Sequence, residues 1–289
     1  MRVLITGAGG QLGSDLRAAF ADHDVVALGH DDLDVTHEPS VVAAVGAAAP
    51  QVVVHAAAYT AVDACEDRPH HAWQVNALGA WWVARAAQLA GAAMVYPSTD
   101  YVFDGMLGRP YTEFDPVSPA SVYGRSKEAG EQLVRRACDA HYIVRTSWVH
   151  GRVGANFAKT MLRLGRQQAT LRVVDDQTGS PTFTFDLAPA MRRLAVSGRH
   201  GTYHLTNAGS CTWFELARAI FAEVGLEVDV SPTDAATWGA PAPRPPYSVL
   251  DNHLARLLDL EPLPPWRDSL RRLLADLGEP VAAPSPAAP

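Results

Sequence analysis

A glycine-rich turn set directly behind a short apolar run constrains this chain more than any other feature: Val3-Leu4-Ile5-Thr6 leads straight into Gly7-Ala8-Gly9-Gly10-Gln11-Leu12-Gly13. Glycines at 7, 10 and 13 let the backbone approach a diphosphate at the start of the helix that follows, where unpaired N–H groups gather. Gln11 and Leu12 open that helix and belong to the same cradle. A glycine turn can also do no more than join a strand to a helix. Its position ahead of a repeated strand and helix rhythm is what points to dinucleotide binding.

The rhythm is legible through residue 146. Apolar runs at 3–6, 25–28, 52–55, 93–97 and 142–146 alternate with helical stretches from about 11 and at 39–48, 69–90 and 121–138. Such alternation predicts an α/β fold, a Rossmann-like doubly wound parallel sheet with its ligand crevice at the carboxyl ends of the strands. After Trp148 the pattern loosens, with helices expected near 157–165, 185–195, 213–224 and 265–275, and with 171–174 and 202–205 returning to the parallel sheet. The expected division is a dinucleotide-binding domain over residues 1–147, a smaller, mostly C-terminal substrate domain from the remainder of 148–278, and a tail at 279–289 whose Pro/Ala composition is that of a disordered end. Pro241-Ala242-Pro243-Arg244-Pro245-Pro246 reads as a rigid connector.

A net charge of −7 without any Lys/Arg cluster argues against a nucleic-acid partner and against an anionic membrane surface, and favours a small-molecule substrate. Residues 41–62 carry no charge, yet Pro50-Gln51 and His55 interrupt them, so no membrane span and no signal peptide are expected. Cys65, Cys138 and Cys211 are too far apart for a metal knuckle and odd in number for a disulfide framework, which predicts reduced thiols and a cytoplasmic protein. The histidines show no spaced set of metal ligands, so no metal is assigned. His70-His71 reads as a solvated helix start and Asp63-Ala64-Cys65-Glu66 as an N-cap with a capping box.

In dinucleotide folds an acid about twenty residues beyond the glycines receives the ribose 2′-hydroxyl and favours NAD. Here Val25-Val26-Ala27-Leu28 ends in Gly29-His30 with no acid at its tip, which favours NADPH, with His30 as a neighbour of the 2′-phosphate and NADH left open. Asp31, Asp32 and Asp34 come slightly later, toward the adenine side or the cap of the next helix; Asp34 and Val35 are carried as cofactor-binding candidates. Ala56-Ala57-Ala58 offers small side chains where a cofactor passes close to the backbone, or simply begins a helix.

Tyr123 and Lys127, four residues apart, share one helical face, so the ammonium can lie near the phenol and favour its ionised form. Alone, the pair reads more readily as an exposed aromatic beside a solvated lysine. Thr99 changes that, because it closes the fourth strand in Ser98-Thr99-Asp100-Tyr101-Val102-Phe103-Asp104-Gly105 and so reaches the same carboxyl edge. A hydroxyl, a phenol and an ammonium converging above a glycine turn form the pattern of a hydride-transfer site. Trp148, at the end of the fifth strand, is placed equally well as a core aromatic or as a wall of the substrate pocket.

Taken with His55-Ala-Ala-Ala-Tyr-Thr-Ala-Val-Asp63, Arg145-Thr-Ser-Trp-Val149 and Asp176-Gln-Thr-Gly-Ser-Pro-Thr182, these segments resemble the dTDP-4-dehydrorhamnose reductases of the extended short-chain dehydrogenase/reductase superfamily, up to about residue 275. Tyr-x-x-x-Lys and the glycine turn mark only the superfamily, which also holds epimerases and dehydratases; the Ser98–Gly105 and Asp176–Thr182 segments are much narrower. The resemblance implies NADPH-dependent reduction of a dTDP-4-keto-6-deoxysugar, dTDP-4-dehydro-L-rhamnose, at C4 to dTDP-L-rhamnose. It implies Tyr123 as proton donor to the developing alkoxide, Lys127 as holder of the nicotinamide ribose, Thr99 as orienter of the carbonyl, and Asp100 and Trp148 as sugar contacts. Arg145 and Asn156, with Phe157, match positions near the nucleotide-sugar. Some relatives hold magnesium between subunits through several acids; Asp15 and Asp186 fall in comparable stretches, but the acids are fewer, so these two read as surface charge. A homodimer is carried as the oligomeric expectation. Other readings stay open: a ketoreductase for another dTDP-keto-deoxysugar, a 4-epimerase that recycles bound NAD, and a catalytically silent binding subunit, against which an intact Thr99, Tyr123 and Lys127 speak.

Overall fold

Parallel strands cannot be joined by tight turns, so each buried run in the first half must be followed by a crossover that climbs back over the sheet. The computed structural model, which describes residues 1–281, shows this alternation. It runs β1 (Arg2–Thr6), α1 (Gln11–Ala19), β2 (Asp24–Leu28), α2 (Glu38–Ala48), β3 (Val52–His55), α3 (Val62–Asp67), α4 (Pro69–Trp73), α5 (Ala80–Leu89), β4 (Ala93–Thr99), α6 (Val122–Ala137) and β5 (His141–Thr146). The second half adds β6 (Val149–His150), α7 (Phe157–Gln167), β7 (Thr170–Val174), β8 (Thr178–Gly179), β9 (Thr182–Phe183), α8 (Thr184–Ala195), β10 (Gly201–His204), β11 (Cys211–Thr212), α9 (Trp213–Val224), β12 (Asp229–Thr233), α10 (Ala235–Trp238), α11 (His253–Leu257) and α12 (Trp266–Asp276).

Six strands form one parallel sheet in the order β10-β5-β4-β3-β1-β2. Because successive side chains point to opposite faces, Val3 and Ile5 of β1 enter one apolar layer with Leu187 and Met191 of α8, while Leu4 enters the other with Val83 of α5 and Val134 of α6. Burial on both faces explains why these strands read as unbroken apolar runs. A third core, around Phe221 of α9, Leu162 of α7 and Leu273 of α12, lies beside the sheet and underlies the C-terminal half.

Several expectations are corrected. Residues 171–174 do not return to the main sheet: β7 pairs with β12 in a separate parallel ribbon, whereas β10 adds to β5. The helix expected at 69–90 is a rod of α4 and α5 joined by a π-helical turn at Gln74–Gly79. There Asn76 accepts from the Tyr59 N–H at 2.8 Å and donates to the Tyr59 carbonyl and to Ser126 Oγ, each at 3.0 Å. Asp63 is no N-cap, since α3 is entered from Ala61 without a side-chain cap; its carboxylate accepts instead from the Ala242 N–H and Arg244, and Glu66 accepts from the Val122 N–H. No helix of the described residues is long and apolar enough to cross a membrane, and the three cysteines are free and buried. The expected disordered tail lies, from residue 282 on, outside the described residues.

Candidate active site

The glycine turn is a cradle built by exclusion. A Cβ on Gly7, whose φ is +67°, would lie 2.5 Å from the Ala57 nitrogen, and one on Gly13 would lie 2.2 Å from the Gly7 carbonyl oxygen. The loop behind β3 therefore rests on the turn, and the turn on the first helical residues. Helix α1 starts from Gly10 with neither a side-chain cap nor an acid in its first turn, so its leading N–H groups face the cleft without a competing carboxylate. Gln11 Oε1 accepts from the Gly151 N–H at 2.9 Å and from Asn156 Nδ2 at 3.0 Å, tying the cradle to the C-terminal half.

A cleft of about 660 Å³ opens here, lined by Gly10 to Gly13, Ala56, Ala58, Thr99, Asp100, Tyr123, Lys127, Trp148 and Asn156. Tyr123 and Lys127 are placed by α6, whose Ser121 cap accepts from the Gly124 N–H at 3.0 Å. Gly124 is needed because a Cβ there would sit 2.2 Å from the Tyr101 carbonyl oxygen. Lys127 is buried, donates to the Pro97 carbonyl at 2.8 Å, and is pushed down to about 7 by burial, against which Glu131 acts. Burial raises the Tyr123 phenol well above its ordinary value, with a hydrogen bond to Thr99 opposing it. The expected lowering by Lys127 is absent: loss of hydration dominates, and the phenol is held neutral.

Thr99 donates to Asp100 Oδ1 at 3.1 Å and accepts from the Tyr101 N–H at 3.2 Å. Asp100 Oδ2 accepts from Ser147 at 3.1 Å and Ser248 at 2.6 Å. Burial raises this carboxyl to about 6, with its three hydroxyl donors acting in the other direction. Four side-chain atoms of cleft-lining residues, His55 Nε2, Ser98 Oγ, Thr146 Oγ1 and His150 Nε2, are buried with no hydrogen-bond partner among the described residues. Both imidazoles are kept neutral by burial, His55 at about 3 and His150 at about 4.

Trp148 lines the cleft from a left-handed backbone conformation, φ +45°, uncommon for a side chain of this size. Its ring stacks on Trp213 at 3.5 Å between centroids and 6° between planes, and Gly179 makes room beneath it, since a Cβ there would lie 2.5 Å from the indole. Phe157 tilts against Trp213 at 4.6 Å. Trp213 and Arg244 both line the cleft and were not legible as site residues. Trp213 sits 65 residues beyond Trp148 behind an ordinary capping box at Thr212 and Glu215, and Arg244 hides in the proline-rich connector.

Other candidates fall elsewhere. Arg145 does not line the cleft: it is buried, paired with both oxygens of Glu131 at 2.9 and 2.8 Å, and lies over the Phe103 ring. His30 and Asp34 are exposed on the loop after β2, and Val35 is buried in the core against Gly79. Asp32 folds back to accept from the Gly29 N–H at 2.8 Å, so an acid does reach the β2 tip, from three residues further on. Asp34 accepts from the Thr36 N–H and hydroxyl rather than capping α2. Ala57 packs beneath Gly7, while its neighbours Ala56 and Ala58 line the cleft. Asp15 is engaged by Arg152 at 2.9 Å and Thr184 at 2.5 Å, and Asp186 by Asn207, Ser269 and Arg272, so both carry partners of their own rather than free surface charge.

Residues 1–279 match the family described as the RmlD substrate binding domain. The chain is 43% identical over 296 residues to a dTDP-4-dehydrorhamnose reductase of Streptomyces griseus, covering 98% of this chain and 97% of that protein. It is 44% identical over 284 residues, 96% of each, to a probable dTDP-4,6-dihydroxy-2-methyloxan-3-one 4-ketoreductase of Streptomyces antibioticus. Among solved structures, the dTDP-4-dehydrorhamnose reductase of Bacillus anthracis str. Ames in complex with NADP superimposes with a TM-score of 0.93 at 42% identity, over 95% of this chain and 99% of that one.

Proposed function

The chain belongs to the RmlD substrate binding domain family, and from that premise we propose that it is an NADPH-dependent reductase that converts the C4 ketone of dTDP-4-dehydro-L-rhamnose to the alcohol of dTDP-L-rhamnose. The observation that carries this reading is the convergence of Thr99, Tyr123 and Lys127 in one cleft with the uncapped start of α1. The residues fit the coenzyme: a cradle in which any Cβ at Gly7 or Gly13 would clash, and leading N–H groups with no acid to repel a diphosphate. When bound, NADPH supplies the hydride that adds to C4.

The chain's own residues manage the proton and the geometry. Tyr123, kept neutral by burial, is in the form that gives its proton to the oxygen that gains charge as C4 is reduced. Thr99 is held by Asp100 and the Tyr101 N–H, which fixes its hydroxyl beside the phenol and in place to orient the carbonyl. Lys127 sets a positive charge below the phenol's helix turn and is the residue to hold the nicotinamide ribose. Asp100, fixed by Ser147 and Ser248, and Trp148, fixed by Trp213, face the sugar. Asn156 contributes through its bonds to Gln11 and to the Gly151 carbonyl, which shape the wall. Arg145 has no ligand role in this reading.

The buried free thiols support a cytoplasmic setting, and exposed Trp73 and Leu78 on the α4–α5 rod support pairing of two copies, which sedimentation at monomer mass would refute. The similarity to a 4-ketoreductase of another dTDP-sugar favours, as second reading, the same chemistry on a different keto-deoxysugar. Oxidation of NADPH with enzymatically generated dTDP-4-dehydro-L-rhamnose, followed by identification of the product, separates the two. Formation of dTDP-L-rhamnose supports the first; turnover only with other keto-sugars supports the second; bound coenzyme without turnover on any of them overturns both.

A further inference from the structure

The π-helical turn at Gln74–Gly79 interrupts an otherwise regular rod, and such turns are rare and gather at functional sites. The Asn76 carbonyl accepts the hydroxyl of Tyr96, from β4, at 2.9 Å, with both residues buried. Helix α6 leaves room for this contact only because residue 130 is glycine: a Cβ there would lie 2.3 Å from the Tyr96 hydroxyl oxygen and 2.4 Å from the Asn76 carbonyl oxygen. Rod, strand and helix thus converge to hold one phenol. Its ring lies under Lys127, with Nζ 4.0 Å from the centroid, while the same ammonium donates to the carbonyl of the next residue, Pro97.

Resting on the reductase reading above, we propose that Tyr96 is a positioning residue for Lys127: hung by its hydroxyl from Asn76, it holds its ring beneath the ammonium and keeps that lysine charged and aimed into the cleft. A buried ammonium loses its hydration and must be compensated locally. Around Lys127 stand Tyr123 and Glu131 on its own helix, His55 on β3, Tyr96 on β4 and Arg145 on β5. His55 and Tyr123 are held neutral by burial, and Glu131 already receives Arg145 and Arg135. The ring face of Tyr96 and the Pro97 carbonyl are therefore the groups in direct contact with Nζ that favour its charged form, the ring through its quadrupole, with Glu131 adding to them from beyond ion-pair distance.

The test is the NADPH affinity of the full chain, followed by nicotinamide fluorescence across about pH 5.5 to 9, for wild type, Tyr96→Leu and Tyr96→Phe; the order of the effects follows from removing the ring or only its anchor. Wild-type affinity should fall as pH rises through about 7, where Lys127 loses its proton. In the Leu variant the midpoint should move down by about one pH unit, a roughly tenfold change in the protonation equilibrium. The Phe variant keeps the volume, and so the fold should the Leu variant lose it; its midpoint should move the same way by less, with kcat down roughly three- to tenfold and KM kept. A wild-type midpoint in the Phe variant would overturn the proposal, even with activity reduced at every pH, because a merely structural role leaves the midpoint in place. Wild type that binds no NADPH at any pH would overturn the reductase reading, and this inference with it.

Discussion

Asp100→Asn should stabilise the protein at neutral pH while impairing turnover. The carboxyl is 2% exposed and its folded value is about 6, against 3.8 for an unperturbed aspartate. A group whose folded value is raised contributes stability that is full below the unfolded value and lost as pH rises through the folded one. Each unit between the two values corresponds to ~1.4 kcal/mol. Asparagine has no such dependence and can keep the contacts: its carbonyl oxygen takes the place of Oδ2 and accepts from Ser147 and Ser248, and its amide donates to Thr99. Between pH 5 and pH 7.5 only the last unit of the aspartate's loss remains to be felt. The variant should therefore gain ~1.4 kcal/mol on wild type across that interval, a rise in relative Tm of about 2 °C for a chain of this size. Thermal unfolding at the two pH values, with circular dichroism as the signal, measures it. Equal differences at both pH values, or a variant losing ground as pH rises, would refute the claim that burial of this charge outweighs its three hydroxyl donors. Turnover should fall because Thr99, now an acceptor from residue 100, no longer presents its hydroxyl in the same sense.

Other substitutions test the remaining roles. Tyr123→Phe should remove most turnover, on the order of 100-fold or more, and leave NADPH affinity nearly unchanged, since it deletes a proton donor; stopped-flow absorbance and a coenzyme titration give the two numbers, and unchanged turnover would end the assignment. Arg145→Met leaves the Glu131 carboxylate buried beside only Arg135 and should cost about 3–5 kcal/mol in chemical denaturation; a stable variant with raised KM would instead restore a substrate contact for Arg145. Trp213→Leu removes the stack that holds Trp148 in its left-handed conformation and should raise KM for the sugar nucleotide roughly tenfold with Kd for NADPH preserved; equal loss in both would place Trp213 in folding rather than in the sugar site.

What was legible in the chain was what is local. Gly7 and Gly13 announce a backbone approach that their missing Cβ atoms permit, and Tyr123 and Lys127 share a helical face whatever they pack against. Thr99 could be placed because a strand end in a doubly wound sheet has only one edge to reach. What escaped depends on partners distant in sequence. Strand β7 looks like a sheet member until β12, an Asp-Val-Ser-Pro-Thr segment with little strand character, claims it as partner. Arg145 ends a strand at the right height, yet Glu131 on α6 draws it sideways into the core. The π-helical turn leaves no periodic trace, because one extra residue in a helix is invisible to a pattern read from apolar spacing.

Gln11 stands at a junction with consequences for redesign. One amide oxygen serves both Gly151 and Asn156, so the first residue of α1 also pins the part of the cleft wall that comes from the C-terminal half. Under the reductase reading, any change there alters two affinities together, and by linkage each ligand then feels the other to the same degree. The loop after β2 is not tied in this way: His30, Asp32 and Asp34 are exposed there, and its hydrogen bonds close on itself at Gly29 and Thr36. Under that same reading a choice between the two nicotinamide coenzymes would drift at the loop without disturbing the sugar, whereas the glycine turn, tied through Gln11 to the cleft wall, would not.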